Sequence, residues 1–224
     1  MVDALFDDLT QAIRSYGSKA RADKEKSYQK SSWEHWGVAF PKIDGAIRDR
    51  LRGIEAARLI PLAETLWSEP VWDLKIASGR VLALDRVPPS DRLWEIVVER
   101  VPEMDGWAVE DNMARVAWKC LLDDPDRLMT VATWVSDERM WVRRASLVYT
   151  LPWTKAGRDP ETMLGWAGRL AEDREWFIQK AIGWWLRELG KVKPDRVTAF
   201  VNQYGDSLKA VARREAVKYL DGRK

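Results

Sequence analysis

Asp111 lies four positions after Trp107, the spacing that puts two side chains together on one face of a helix. A carboxylate there has three uses: an ion pair with Arg115 one turn further on, exposure in a cleft, or chemistry as a fixed anion or proton acceptor. Other reactive types are scarce. Cys120 is the only cysteine and His35 the only histidine in 224 residues, which excludes an internal disulfide and a Cys/His zinc cluster. Catalysis must then draw on carboxylates, cations, hydroxyls or aromatic rings, and neither a metal nor a cofactor is expected. Tryptophan is in excess: a core of this size ordinarily needs far fewer than 14, so some indoles are expected to face a ligand.

The elements that position these residues repeat. Pro89, Pro125, Pro160 and Pro194 are separated by 36, 35 and 34 residues and fall at expected helix starts. Asp124 and Asp159, each just before a proline, have the chemistry of caps. A second landmark, an anchor in the following helix, recurs as Trp72, Trp107, Trp141, Phe177 and Ala212, in steps of 35, 34, 36 and 35. Each unit reads as a Pro-started helix, such as Pro125 to Val135, then a turn and a second amphipathic helix. Nothing in this stretch alternates with the period of a strand. The expected class is all-α, an α-α superhelix or solenoid of stacked helix pairs. One domain is expected over residues 1–224: residues 1–66, with Leu5, Leu9, Ile13 and Ile43, Ile47, Leu51 at helical spacing, as capping helices, and 67–224 as repeats of about 35 residues.

Comparing equivalent positions isolates one residue. Four residues after each anchor stand Ile76, Asp111, Ala145, Ala181 and Ala216, so an acid replaces an apolar side chain in one unit alone. The residue before that position is Lys75, Arg144 and Lys180 in three other units, a candidate cationic ladder for phosphates. Trp184 and Trp185 are adjacent and point about 100° apart, so one is expected in the core and the other outside it. The net charge is +2, but residues 1–112 carry 16 basic against 20 acidic side chains and the remainder 21 against 15. That asymmetry suits a polyanion partner for the second half. No run is apolar enough to cross a bilayer and no leader is visible, so a cytoplasmic protein is expected.

The segment Trp176-Phe-Ile-Gln-Lys-Ala-Ile-Gly-Trp-Trp-Leu-Arg-Glu188 resembles the signature helix of the AlkD-like DNA alkylation repair glycosylases. The likeness extends through Arg213-Arg-Glu-Ala-Val-Lys218 and back through Trp141-Val-Arg-Arg-Ala145, Gly106-Trp-Ala-Val-Glu-Asp111, and Tyr28 to Gly37. The resemblance implies a HEAT-like repeat fold whose concave basic face holds duplex DNA. It implies that Asp111, Trp107 and Trp184 meet the deoxyribose of the damaged nucleotide and that Arg144 contacts the backbone. Tyr28 matches a family aromatic beside the same cleft. Arg143, Lys180, Arg213 and Arg214 lie in the matching segments and are expected to bind DNA as well.

The implied activity is that of a monofunctional glycosylase acting on N3- or N7-alkylated purines such as N3-methyladenine and N7-methylguanine. Such a base is already cationic and leaves readily, so cationic character develops on the sugar, where a fixed carboxylate and two indole faces are useful. A monomer is expected, because a groove that wraps DNA needs open ends. Two other classes fit the helical repeats: a non-catalytic DNA-binding protein that recognises distorted or branched DNA, and a protein-binding scaffold.

Overall fold

A computed structural model describes residues 2–29 and 31–220, and among these the chain forms thirteen α-helices and no strand. It divides into two compact units, Met1–Ala117 and Trp118–Lys224. The first contains α1 (Val2–Arg14), α2 (Lys19–Gln29), α3 (Phe40–Arg50), α4 (Ala56–Ser68), α5 (Trp72–Leu82), α6 (Asp91–Arg100) and the start of α7 (Trp107–Asp123), inside which the division falls. The second continues with α8 (Leu128–Trp134), α9 (Met140–Val148), α10 (Glu161–Arg169), α11 (Trp176–Gly190), α12 (Pro194–Tyr204) and α13 (Ala210–Ala216).

The sequence landmarks fall where local chemistry puts them. All five anchors lie in the first turn of the second helix of a pair: Trp72 opens α5, Trp107 opens α7, and Trp141, Phe177 and Ala212 follow within three residues of the starts of α9, α11 and α13. The prolines mark the entries to the first helices, with different offsets. Pro194 begins α12 and Pro160 directly precedes α10, whose Glu161 N–H is taken by Asp159 Oδ1 at 3.1 Å. Pro125 begins a 3-10 turn rather than α8 itself, and the Asp124 carboxylate accepts the Asp126 N–H at 3.0 Å. Pro89 stands outside α6, which Ser90 caps by accepting the Leu93 N–H at 3.2 Å.

In the first unit α1 packs on α3 and α4, burying Leu9, Ile13, Ile43 and Leu59 completely. Helix α4 packs chiefly on α5, so it is the first member of a helix pair. The boundary expected at residue 66 therefore falls inside the last turn of α4. The segment after α2, where Lys30 lies outside the described residues, is pinned from both sides. Asp73 on α5 is wholly buried and accepts the N–H groups of Trp36 and Val38, each at 2.8 Å. Gly37, at φ +72°, lies so close to Ala22 N and Ser18 O on and before α2 that a Cβ would overlap them.

In the second unit the first helices α10 and α12 pack together, and the second helices run α9 on α11 and α11 on α13. The α11–α13 contact is the most extensive, and Gly183 makes it possible. A Cβ at Gly183 would stand 2.9 Å from Glu215 Cβ and 3.0 Å from the Ala212 backbone.

Candidate functional site

The chain enters helix α7 through Gly106, where φ is +139° and a side chain would press on Gln29 Oε1 at 3.0 Å. Just before it, Asp105 Oδ2 accepts both the backbone N–H (2.6 Å) and the hydroxyl (2.8 Å) of Ser32. These contacts bring the end of α2 to the start of α7. Tyr28 then meets Trp107 edge-on, with ring centroids 6.5 Å apart and planes at 85°. Tyr28 is 69% exposed and Trp107 partly exposed, so the pair forms an aromatic corner open to solvent.

One turn along, three consecutive polar residues diverge. Glu110 is fully buried, and Asn112 is buried with its amide donating to Ala108 O (2.7 Å) and accepting from Arg80 Nε (3.0 Å). Asp111 between them stays partly exposed, on the face that carries Trp107. The carboxylate that breaks the repeat is thus the one that α7 turns toward the open aromatic corner.

The second unit places its expected residues differently. Trp185 is wholly buried and Trp184 partly exposed, as their angular separation requires. Trp184 lines an apolar cleft of about 570 Å³ with Trp118, Leu122, Leu151 and Pro152, and Lys155 and Glu188 stand among them. Burial works to raise the Glu188 carboxyl, but the ammonium of Lys191, with Lys155 and Arg187, outweighs it and holds the group below the usual carboxylate range. Arg144 is 4% exposed and sits 5.8 Å from the centre of the Trp141 ring. Lys180 is exposed and lies over the Trp176 ring at 4.8 Å; Arg213 and Arg214 are exposed on α13.

Two expectations about cations change. Lys75 is no rung of a surface ladder: it is buried, donates to Trp67 O, lies over the rings of Trp67 (4.7 Å) and Trp33 (5.1 Å), and burial pushes its pKa down. Its repeat position faces the neighbouring α4, so the chain spends the charge on a helix-terminal carbonyl. Arg143 serves as a clamp, its guanidinium bonding Asp173 Oδ2 (2.8 Å), Asp137 O (2.8 Å) and Glu138 O (2.9 Å). Asp137 and Glu138 lie in the loop before α9 and Asp173 in the loop before α11, so the clamp leaves few donors for a phosphate.

Several extra tryptophans are similarly structural. Trp67 donates to Glu103 (2.8 Å) under the Arg100 guanidinium, Trp36 donates to Glu34 (3.0 Å), and Trp153 is buried beneath Arg158. Most of the signature helix is structural too. Gln179 is wholly buried, donates to Ala171 O and Asp173 O, and accepts the Lys209 N–H.

Sequence reasoning missed a cleft of about 440 Å³ in the first unit, lined by Arg48, Arg52, Arg80, Arg86 and Arg115 with Asp44 and Asp85. The signal was available in the repeat register, because Arg80 and Arg115 both stand eight residues after an anchor.

Nearly the whole chain is similar to known proteins. The family model of the DNA alkylation repair enzyme matches residues 9–220. No curated protein matches. Among solved structures, one described as a predicted DNA alkylation repair enzyme from Enterococcus faecalis is 21% identical, with a TM-score of 0.75 over 92% of this chain and 98% of that one. AlkD2 from Streptococcus mutans is 18% identical, with a TM-score of 0.62 over 91% and 98%. At such identities the structures attest the shared helical-repeat fold, while the family model covers nearly every residue. The chain belongs to the DNA alkylation repair enzyme family.

Proposed function

We propose that this protein is a monofunctional DNA glycosylase that hydrolyses the N-glycosidic bond of cationic alkylated purines, such as N3-methyladenine and N7-methylguanine, in duplex DNA. Membership in a DNA alkylation repair family supports the partner. The observation that carries the reading is the partial exposure of Asp111 beside Trp107, between two polar neighbours that are buried.

The reaction breaks the bond between sugar C1′ and the purine nitrogen, and its electron pair neutralises the cationic base. Positive charge grows on the sugar as the bond lengthens. Asp111 offers a fixed anion to that charge, stronger where DNA has displaced water. The same carboxylate accepts a proton from the water whose oxygen bonds to C1′. The Trp107 face adds a contribution on the order of 1 kcal/mol through its quadrupole. Trp184 is assigned the second ring and Arg144 the backbone contact on the family resemblance; Arg144 is buried, so its contact requires the guanidinium to be uncovered when DNA binds. Lys180, Arg213 and Arg214, exposed in the second unit, are suited to phosphates. In this reading the protein works as a cytoplasmic monomer; no described helix is long and apolar enough to cross a membrane.

The test is release of free base from duplexes that carry N3-methyladenine or N7-methylguanine, followed by chromatography. Wild-type protein is expected to release the base and Asp111→Asn to lose that ability with its helical circular dichroism intact. Full excision by Asp111→Asn would refute the assignment. Salt-sensitive duplex binding by the wild type, with no release from either lesion, would favour the non-catalytic DNA-binding class.

A further inference from the structure

The arginine cleft of the first unit takes its lining from α3, α5 and α7 and the loops that follow the first two. Arg48 lies on α3 and Arg52 just beyond it; Arg80 is on α5 and Arg86 beyond it; Arg115 is on α7. Five guanidiniums against two carboxylates is an unusual concentration in a unit whose sequence is acidic overall.

Some of this charge is already committed. Arg80 pairs with Asp44, donates to Asn112 Oδ1 and lies 4.6 Å from the Phe40 ring centre. Arg86 donates to Leu51 O at 2.7 Å, closing the end of α3. Arg48 pairs with its exposed neighbour Asp49, at 3.3 Å. Arg52 and Arg115 are exposed, and among the described residues neither has an ion-pair partner. Helix-end carbonyls account for basic residues late in α3 and α5, since cations favour that pole. They do not account for Arg115, which stands in the middle of α7.

Arg115 also has a fixed relation to Asp111. It is the next turn on the same helix, about 6 Å along the axis. Arg115 therefore shares the Asp111 face of α7, so a group held by Arg115 and Arg52 belongs to the same side of the helix as the carboxylate. Planar guanidiniums converging on a small open cleft match the oxygens of a phosphate, which accepts paired N–H donors from more than one direction.

We infer that this cleft binds a phosphodiester of the DNA backbone, with Arg52 and Arg115 as its principal donors and Arg48 as a third. The inference rests on DNA being the partner, not on base release. It gives the first unit a phosphate grip of its own, on the same helix as Asp111.

The test uses full-length protein and an undamaged duplex, with affinity read by fluorescence anisotropy over a series of salt concentrations. Replacing both side chains, Arg52→Gln with Arg115→Gln, is expected to weaken binding about tenfold and to flatten the slope of log affinity against log salt by about one. Arg52→Lys with Arg115→Lys, which keeps the charge, is expected to restore most of the slope. Arg50→Gln on the same helix α3, paired with Asp8 outside the cleft, is expected to leave it unchanged. An unchanged slope and affinity in the folded Gln double variant would overturn the inference. So would an unchanged slope accompanied by loss of thermal stabilisation by inorganic phosphate or a mononucleotide, because the ligand would then be a small phosphate compound. A wild type that binds duplex but releases no base, with the slope still flattened in the double variant, would defeat the glycosylase reading and leave this cleft standing.

Discussion

Eight residues after the anchor, the first unit has Arg80 and Arg115, and the second has Tyr149, Trp185 and Leu220. Both aromatics are wholly buried, whereas Arg115 is exposed in a cleft. The same register thus carries two rings into the interior of one unit and opens a cationic hollow in the other. The overall charges run the opposite way. The first unit carries 17 basic and 20 acidic residues, the second 20 and 15. In the second unit, however, cations are widely spent: Arg143 on Asp173, Arg187 on Glu215, Arg196 on Glu161, Lys191 on Glu188, and Arg158 on Leu122 O. A segment's net charge therefore does not locate its anion site. What counts is how many cations remain after the helices have been tied together.

The largest test of that contrast concerns the acid four residues after the anchor. Asp111→Asn is expected to lower single-turnover excision by about 10³-fold, close to 4 kcal/mol, with unchanged duplex affinity at fixed salt. A drop in affinity equal to the drop in rate would mean that Asp111 shapes the groove instead of serving the reacting sugar.

Transplanting the acid sharpens the comparison. Ala145→Asp puts a carboxylate at the equivalent position of the second unit, where Ala145 is wholly buried. It is expected to destabilise the protein by about 3 kcal/mol, read from the urea midpoint, since a charge there enters packed apolar surroundings. A neutral effect would show that the repeat position is open in both units.

Gly183→Ala is expected to cost about 2 kcal/mol by forcing α11 away from α13, with a smaller effect on excision per folded molecule. Equal loss of stability and of intrinsic rate would instead tie the α11–α13 crossing directly to catalysis.

The smallest effect belongs to the first unit and to pH. His35 is stacked on Trp72 at 4.9 Å, neither ring nitrogen has a hydrogen-bond partner among the described residues, and burial, aided by Lys26, lowers its pKa to about 4. The unfolded chain takes up a proton near pH 6.5 that the folded one refuses, so stability present at neutral pH is lost as pH falls from 6.5 toward 4. Urea midpoints at pH 7 and 5 are expected to differ by up to about 2 kcal/mol, and His35→Gln to remove much of that difference. An identical pH dependence in the variant would place the proton uptake elsewhere.

Much of this architecture was legible in the residues themselves. The 35-residue step, an anchor in the second helix of each unit, the divergence of Trp184 from Trp185, and the oddity of Asp111 all follow from helix geometry, which is local and periodic. Long cationic side chains were read less well. Lys75, Arg144 and Lys180 occupy one register, yet one is buried on a carbonyl, one is buried beside an indole, and one is exposed. The arginine cleft escaped notice because its members come from α3, α5, α7 and the loops between, separated by up to 67 positions.

The sequence by itself determined the helical class, the period and the candidate carboxylate, because each depends on which residues recur at a fixed angle along a helix. Only the tertiary structure decided which charges are available. A flexible lysine or arginine reaches several ångströms from its own helix, so its donors are claimed by carbonyls and carboxylates that chain folding brings near.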